Sequence, residues 1–460
     1  MQSSSVELAP FLEDSSGYKG SADKVFFPAD VEAVREIVLA ASHDGIPLTV
    51  AGAGTGLTGA RVPKSGWVVS LERFKTLTVG LGSARCGVGV SLADLHREAA
   101  RSKEFLGPNP TETSASVGGV IATNAGGARS FRFGAVRHHV LALTVVFMDG
   151  SVKTFRKGDR VDFPFQIVKP PATTKNAAGY CLHENLEWVE LLSGSEGTLG
   201  IVTEAELQLL AEPAALLSGV VFFHTEDAAL DAVDVWRPIA GLRYLELLDE
   251  RSLNYLRPRY SDIPTGARSA LMIEQDLLSD TDPEVDIWLD RLAKQGAFQD
   301  ESWFGLTAAE RERFRKFRHD LPVMMVDHGR KSGAKFGTDF AVPLDKGREL
   351  YRFYVERCEA LFPGNYAIFG HAGDANVHVN LLAQKPEDAH TAEELMTEFA
   401  GFVVKLGGTV CAEHGVGKHK TNLLRLMYPA ADIESMKQVK RHLDPAWLLG
   451  QGTIFEDSDR

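Results

Sequence analysis

The stretch AGAGTGLTGARVPKSGWVVSL, residues 51–71, decides how the first half of the chain is read. It holds Gly54-Thr55-Gly56-Leu57-Thr58-Gly59, a G-x-G-x-x-G match that follows an expected strand at Ile46–Val50. A Rossmann unit needs a helix to open inside that motif, so that its N-terminus meets the pyrophosphate. Pro63 and Gly66 prevent such a helix, and an apolar strand is expected directly afterwards at Trp67–Leu71. The nicotinamide reading fails on that point. The loop chemistry survives it, because Gly52, Gly54, Gly56 and Gly59 let backbone N–H groups approach an anion closely. A tight turn without a ligand fits this loop alone equally well.

A second segment separates the two readings. GPNPTETSASVGGVIATNAGG, residues 107–127, carries Gly118-Gly119, Asn124 and Gly126-Gly127 among small residues, with almost no bulky side chains. A core needs bulk, so such a run points to another molecule filling the space. A third segment, GSEGTLGIVTE at 194–204, joins tight turns to the start of an apolar strand. Around these lie an expected helix after Pro28, capped by Asp30 with Val31, Val34, Ile37 and Val38 on its apolar stripe, and a strand at Arg137–Met148. The Asp149-Gly150 turn leads into Ser151–Phe155, with closing strands expected at Glu187–Leu192 and Gly200–Leu210.

From about Glu212 longer strand and helix units follow. Strands are expected at Leu217–Phe223 and Leu242–Leu247, and helices at Asp227–Val235 and Thr307–His319. A strand near Lys335–Val342, a helix at Lys346–Leu361, a hairpin over Asn365–Leu382, a helix at Ala389–Leu406 and a strand at Thr409–Glu413 complete the pattern.

With 460 residues the chain has room for two or three domains, and its 44% hydrophobic and 24% charged residues are those of a globular protein. A net charge of −13 disfavours nucleic acid and anionic lipid, which need a positive field. No apolar run is long enough for a membrane span, and MQSSSVELAPFLEDSS lacks the pattern of a secretory leader. Cys86, Cys181, Cys358 and Cys411 form no CxxC pair, so reduced thiols and a cytoplasmic location are expected.

The most chemical stretch is FGHAGDANVHVNLL, residues 369–382. Read as a hairpin turning at Asp374-Ala375, it pairs His371 with His378. One face then carries His371, Gly373, Asn376, His378 and Asn380, and the other the apolar Val377, Val379 and Leu381. Two imidazoles side by side suit a divalent metal, and equally suit histidines satisfied by backbone or carboxylates. Glu413 tips the balance, since a carboxylate after Val410, Cys411 and Ala412 is costly unless paired. His414 joins the same site if the chain bends at Gly415 and Gly417. Arg311 and Arg315 read as partners of a salt-bridged surface helix, whereas Arg318 ends that helix beside His319.

The three small-residue segments in this order, followed by the histidine hairpin and Glu413-His414, resemble the FAD-binding PCMH-type (vanillyl-alcohol oxidase) superfamily. Within it they resemble the D-lactate dehydrogenase, glycolate oxidase and D-2-hydroxyglutarate dehydrogenase branch. The resemblance implies an α+β fold: a PCMH-type FAD-binding domain of two subdomains over residues 20–211, and an α+β cap domain with a large antiparallel sheet over 212–425. A C-terminal segment, 426–460, would return to the FAD domain. It implies that Gly52, Gly54, Thr55, Gly56 and Leu57 wrap the FAD pyrophosphate. Pro108, Thr111, Gly118, Gly119, Ala122, Asn124 and Gly127 would line diphosphate, ribityl chain and isoalloxazine, and Glu196, Gly197 and Ile201 would meet the adenosine half. No histidine lies in 51–59 and no cysteine in 107–127, so the flavin is expected to be non-covalent.

The resemblance further implies that His371, His378 and Glu413 hold zinc or manganese, with His414 as general base and Asn376 positioning the substrate. Arg318 and Lys335 would anchor its carboxylate. The expected reaction is oxidation of a D-2-hydroxy acid, D-lactate foremost, with glycolate and D-2-hydroxyglutarate as other substrates, by deprotonation of the hydroxyl and hydride transfer to flavin N5. Electrons would pass to a quinone, a cytochrome, an electron-transfer flavoprotein or oxygen, and a homodimer is compatible with this reading. The alternative is a flavin subunit of a larger redox complex, non-catalytic or of different specificity.

Overall fold

The structure, a computed structural model, describes residues 8–332, 334–456 and 458, without the side chains of 326–334. The first seven residues, part of the stretch read above for a leader, lie outside the described residues. Strands β1 (Lys24–Phe26), β2 (Leu48–Ala51) and β3 (Trp67–Ser70) form a parallel sheet in the order β1-β3-β2. The helix Val31–Asp44 packs beside it, with the Asp30 side chain accepting from the Ala33 N–H and Val34, Ile37, Val38 and Ala41 buried. No helix opens between β2 and β3.

Next come β4 (Leu77–Gly80), β5 (Ser83–Gly87), β6 (Glu104–Phe105), β7 (Val140–Val146), β8 (Val152–Arg156), β9 (Ile201–Gln208) and β10 (Leu210–Ala211). Five of them form an antiparallel sheet in the order β4-β5-β9-β7-β8, and β6 pairs β10. The expected strand at Glu187–Leu192 is instead a helix, Trp188–Leu192. Glu187 and Glu190 form a capping box, and Trp188 is buried against Phe147, Phe155 and Phe163, so capping and tertiary burial override β propensity.

The rest of the strands are β11 (Ala215–Phe223), β12 (Leu242–Leu248), β13 (Ser269–Leu277), β14 (Trp303–Gly305), β15 (Ala334–Gly337), β16 (Tyr366–His371) and β17 (Asn376–Ala383). They make one antiparallel sheet in the order β14-β11-β13-β12-β16-β17-β15. Alternate residues serve two cores. Val220, Phe222, Met272, Ala367 and Phe369 pack with Phe314, Phe317 and Leu321 of the helix Ala308–Ser332. Val221, Phe223, Ile273, Ile368 and Val379 face the other way, into the main core with Trp236, Tyr354 and Phe399. The fold is thus α+β, with a large antiparallel sheet buried on both faces.

Three further expectations change. The helix expected at Thr307–His319 runs on through Pro322 to Ser332. The Lys335–Val342 strand stops at Gly337. Thr409–Glu413 is no strand: Thr409 makes a single bridge with Ala341, and the chain then turns irregularly. At the other end, Leu449 bridges to Leu48, and Leu448 and Leu449 are buried with Val34 and Ile37 of the first helix.

Candidate active site

The hairpin β16–β17 pairs His371 with Asn376 and Phe369 with His378, not His371 with His378. The turn centres nearer Gly373 than expected, with Ala375 at φ +50°. This slips the register by two residues, which preserves the face of every side chain. His371 and His378 therefore still meet, their rings 5.4 Å apart and nearly perpendicular, while Val377, Val379 and Leu381 lie in the core.

Glu413 reaches the same place from the irregular segment after Thr409. One ligand atom each from His371, His378 and Glu413 lies within 4.8 Å of the others. The Nδ1 of His378 lies 3.0 Å from the Thr338 carbonyl, which fixes that nitrogen as the donor and leaves Nε2 to the site. Burial and the neighbouring His371 push the His378 pKa down to about 3, keeping the ring neutral. Burial alone would raise the Glu413 carboxyl, but the Lys175 ammonium and then His371 hold it well below the usual range. For His371, burial and Lys175 act downward, and Glu413 and Glu246 outweigh them to raise its pKa. Two imidazoles and one carboxylate are a donor set that zinc or manganese accepts. The residues fit such an ion.

Three charged residues at this site were not singled out from the sequence. Lys175 is fully buried; its ammonium bonds Glu413 Oε1 and the Gly127 carbonyl at 3.1 Å, and forms an ion pair with Asp374 Oδ2 at 3.2 Å. Asp339 is buried, accepts from the backbone N–H groups of Glu413 (3.1 Å) and His414 (2.9 Å), and pairs with Lys420 at 3.0 Å. Glu246, on β12, lies between Arg318 and His371. Their one sequence signal is a charged residue inside an apolar or small-residue run: YLELL, GTDFAV, PATTKNAAG.

His414 turns out of the bend with a third of its side chain exposed, so a ligand can reach it. Its ring stacks on His378, centroids 6.0 Å apart, and Nδ1 lies 3.5 Å from Asp339 Oδ2. Burial lowers its pKa and Asp339 opposes that, with the balance below the ordinary histidine value. Asn376 is fully buried, its Nδ2 donating to the Phe340 carbonyl at 2.8 Å and its Oδ1 lying 3.5 Å from Lys175 Nζ. Arg318 is bidentate on Glu246, Nε to Oε2 at 2.9 Å and Nη2 to Oε1 at 3.3 Å, and lies over Phe369. Lys335 sits on β15 opposite Leu382. The residue as a whole is exposed, yet crowding around its ammonium and then the Arg318 charge push its pKa below that of a free lysine.

The small-residue segments meet nearby. The short helix Val117–Ala122 buries Val117, Val120 and Ile121 and leaves Gly119 and Ala122 partly exposed, while Gly118 turns toward Val88, where a Cβ would lie 2.8 Å from the Val88 Cβ. A Cβ on Gly52 would lie 2.8 Å from Ser116 Oγ and 3.9 Å from the Gly119 Cα, so the first glycine loop rests directly on the second segment. Gly54 has φ +83°, and among the described residues the N–H groups of Gly54, Thr55, Gly56 and Leu57 donate to no protein acceptor. Leu57 is exposed, as is Thr111, while Pro108 and Ile201 are buried. Asn124 is buried with φ +49°, its Oδ1 accepting from the Arg137 N–H. Small side chains and unpaired backbone donors fit a flat cofactor with an anionic diphosphate.

Glu196 uses its carboxylate within the protein, accepting from the N–H groups of Val416 and Gly417 at 2.8 Å each, and burial pushes its pKa up to about 7. Gly197, at φ +69°, follows in the same turn. Gly127 couples the cofactor segment to the histidine cluster: its N–H donates to Glu413 Oε1 at 3.1 Å and its carbonyl accepts from Lys175.

A cradle with open backbone donors, next to a cluster of imidazoles and a carboxylate, is the arrangement of a cofactor-dependent enzyme. The chain belongs to the FAD-linked oxidase family: residues 22–156 match the FAD binding domain, and residues 212–454 match the C-terminal domain of FAD linked oxidases. It is 30% identical over 433 residues to a D-lactate dehydrogenase of Archaeoglobus fulgidus, covering 93% of this chain and 90% of that one. It is 28% identical over 460 residues to the glycolate oxidase subunit GlcD of Bacillus subtilis, covering 96% and 91%. A solved structure of alkyldihydroxyacetonephosphate synthase shares the fold, with a TM-score of 0.70 at 17% identity over 98% of this chain and 82% of the other. The protein is an FAD-linked oxidoreductase.

Proposed function

We propose that this protein oxidises a D-2-hydroxy acid, D-lactate foremost, to the 2-oxo acid. The observation that carries the reading is the convergence of His371, His378 and Glu413 within 4.8 Å, one bond away from the small-residue segment through the Gly127 N–H. Supporting it are the relatives named D-lactate dehydrogenase and glycolate oxidase subunit. When bound, FAD supplies the two-electron acceptor, and a divalent ion supplies the Lewis acidity that favours an alkoxide.

The chain's own residues do the rest. His414, partly exposed beside the cluster and with a pKa below the ordinary value, is neutral near pH 7 and accepts the hydroxyl proton. Asp339 holds the backbone on both sides of the Glu413–His414 peptide and so fixes where that imidazole stands. Glu246 occupies Nε and Nη2 of Arg318, and the remaining Nη1, with Lys335 nearby, offers the positive charge that a carboxylate requires in a chain of net charge −13. Asn376, its amide bonded to the Phe340 carbonyl, holds the hairpin floor on which the substrate rests. Residues 20–211 form the FAD-binding part, 212–425 the substrate-binding part, and 426–460 a segment that returns to the former.

The word subunit in the name of the Bacillus subtilis relative favours a second reading, in which the chain works as the flavin subunit of a larger redox complex. A panel of D- and L-lactate, glycolate and D-2-hydroxyglutarate, offered anaerobically to the isolated chain, separates the readings. Bleaching of the flavin by a D-2-hydroxy acid supports the first. Indifference to all four, with recovery only in a complex, supports the second. Electrons leave from the flavin to a quinone, a cytochrome, an electron-transfer flavoprotein or oxygen.

A further inference from the structure

Glu246 lies on β12 in the run YLELL, pointing to the same side of the sheet as Leu248, which packs with Phe317 and Phe369. That side is covered by the helix Ala308–Ser332, and the buried carboxylate has three nitrogens close to it. Oε2 accepts from Arg318 Nε at 2.9 Å, Oε1 from Arg318 Nη2 at 3.3 Å, and Oε1 also lies 2.9 Å from His371 Nδ1. The other ring nitrogen of His371, Nε2, lies 3.4 Å from Glu413 Oε1. A carboxylate in such a place is costly to desolvate unless its partners compensate, and here both partners belong to the proposed site.

We propose that Glu246 is a positioning residue that sets two parts of the site at once: the metal-facing nitrogen of His371 and the aim of the Arg318 guanidinium toward a substrate carboxylate. The inference rests on the function proposed above. The Glu246 charge 2.9 Å from Nδ1 favours a proton on that nitrogen, although the ring N–H is not aligned on the carboxylate as a hydrogen bond, and this leaves the Nε2 lone pair to the cluster. With Nε and Nη2 taken, Arg318 keeps Nη1 for the substrate, and the Phe369 ring beneath it limits its tilt. Only a carboxylate serves both partners. An amide of the same shape has one acceptor oxygen, so it must present its NH2 group to either the guanidinium or the imidazole, both of which are donors.

The test compares the parent with Glu246→Gln and Glu246→Asp, all as full chains loaded with FAD. Affinity for Zn2+ and Mn2+ alone is measured by competition with a chelator, and KM and kcat for D-lactate are measured separately. In Glu246→Gln we expect roughly 10–100-fold weaker metal binding and a raised KM, with FAD retained and a lower melting temperature, because Arg318 loses its buried charge partner; binding and kinetics are read below that melting temperature. Glu246→Asp keeps the charge but withdraws it by one methylene, and is expected to weaken metal binding as well, though less. Equal metal affinity and KM in parent and both variants would overturn the role of Glu246 while leaving the metal site standing. A parent that binds neither ion would overturn the metal site, and this inference with it.

Discussion

Lys175 and Glu413 form a buried ion pair that ties the loop before Asn176 to the bend carrying the proposed base. Asp374, in the turn of the histidine hairpin, shares the same ammonium at 3.2 Å. Three chain segments that are distant in sequence are thus joined on one charge.

Removing that charge leaves two buried carboxylates without the cation they share. Lys175→Met is therefore expected to destabilise the protein by about 3–5 kcal/mol, the usual cost of breaking a buried pair. Urea denaturation measures it. Adding Glu413→Gln should recover part of the loss, and a single-variant cost below ~1 kcal/mol would mean that the pair is solvated after all.

Cofactor binding is tested on the exposed face of the helix Val117–Ala122. Ala122 is partly exposed near Gly119, so Ala122→Leu adds bulk on the face proposed for the cofactor. The variant should fold, with the parent's far-ultraviolet circular dichroism, and yet purify without the yellow flavin. Stoichiometric FAD in the variant would remove this face from the cradle.

Asp249 supplies a pH dependence away from the site. It caps the helix Glu250–Leu256, accepting from the Ser252 N–H at 2.8 Å, and burial pushes its pKa up to about 7 from the ordinary 3.8. Between those values the folded state keeps a proton that the unfolded state has lost, so stability falls as pH rises from about 4 to about 7 and then levels. Asn caps equally well and does not ionise. Thermal melts of Asp249→Asn should therefore gain on the parent across that window, and a constant difference from pH 4 to 8 would contradict the shift.

His414→Gln removes the proposed base while leaving the ligand set intact. Flavin reduction by D-lactate should slow by roughly 10²–10⁴-fold, with FAD content and metal affinity unchanged. A rate within a few-fold of the parent's would assign the proton to another group.

The sequence showed most clearly what depends on composition and period. The glycine loop could be rejected as a Rossmann site because Pro63 and Gly66 are local obstacles, and β3 does follow immediately. The polar and apolar faces of the histidine hairpin were legible despite a misplaced turn, since a slip of two residues leaves strand parity intact. Trp188 misled because its burial against three phenylalanines is a tertiary fact. Lys175, Glu246 and Asp339 stayed hidden for the same reason. A buried charge becomes legible only when its partner is known, and those partners lie 238, 72 and 75 residues away in the chain.

The most direct measurement mixes the flavin-loaded protein anaerobically with D-lactate in a stopped-flow spectrometer, before and after exhaustive chelation. The proposed function predicts rapid loss of flavin absorbance in the metal-replete protein, and much slower loss after chelation with FAD still bound. Equal rates before and after chelation, or a flavin that no 2-hydroxy acid reduces, would contradict it.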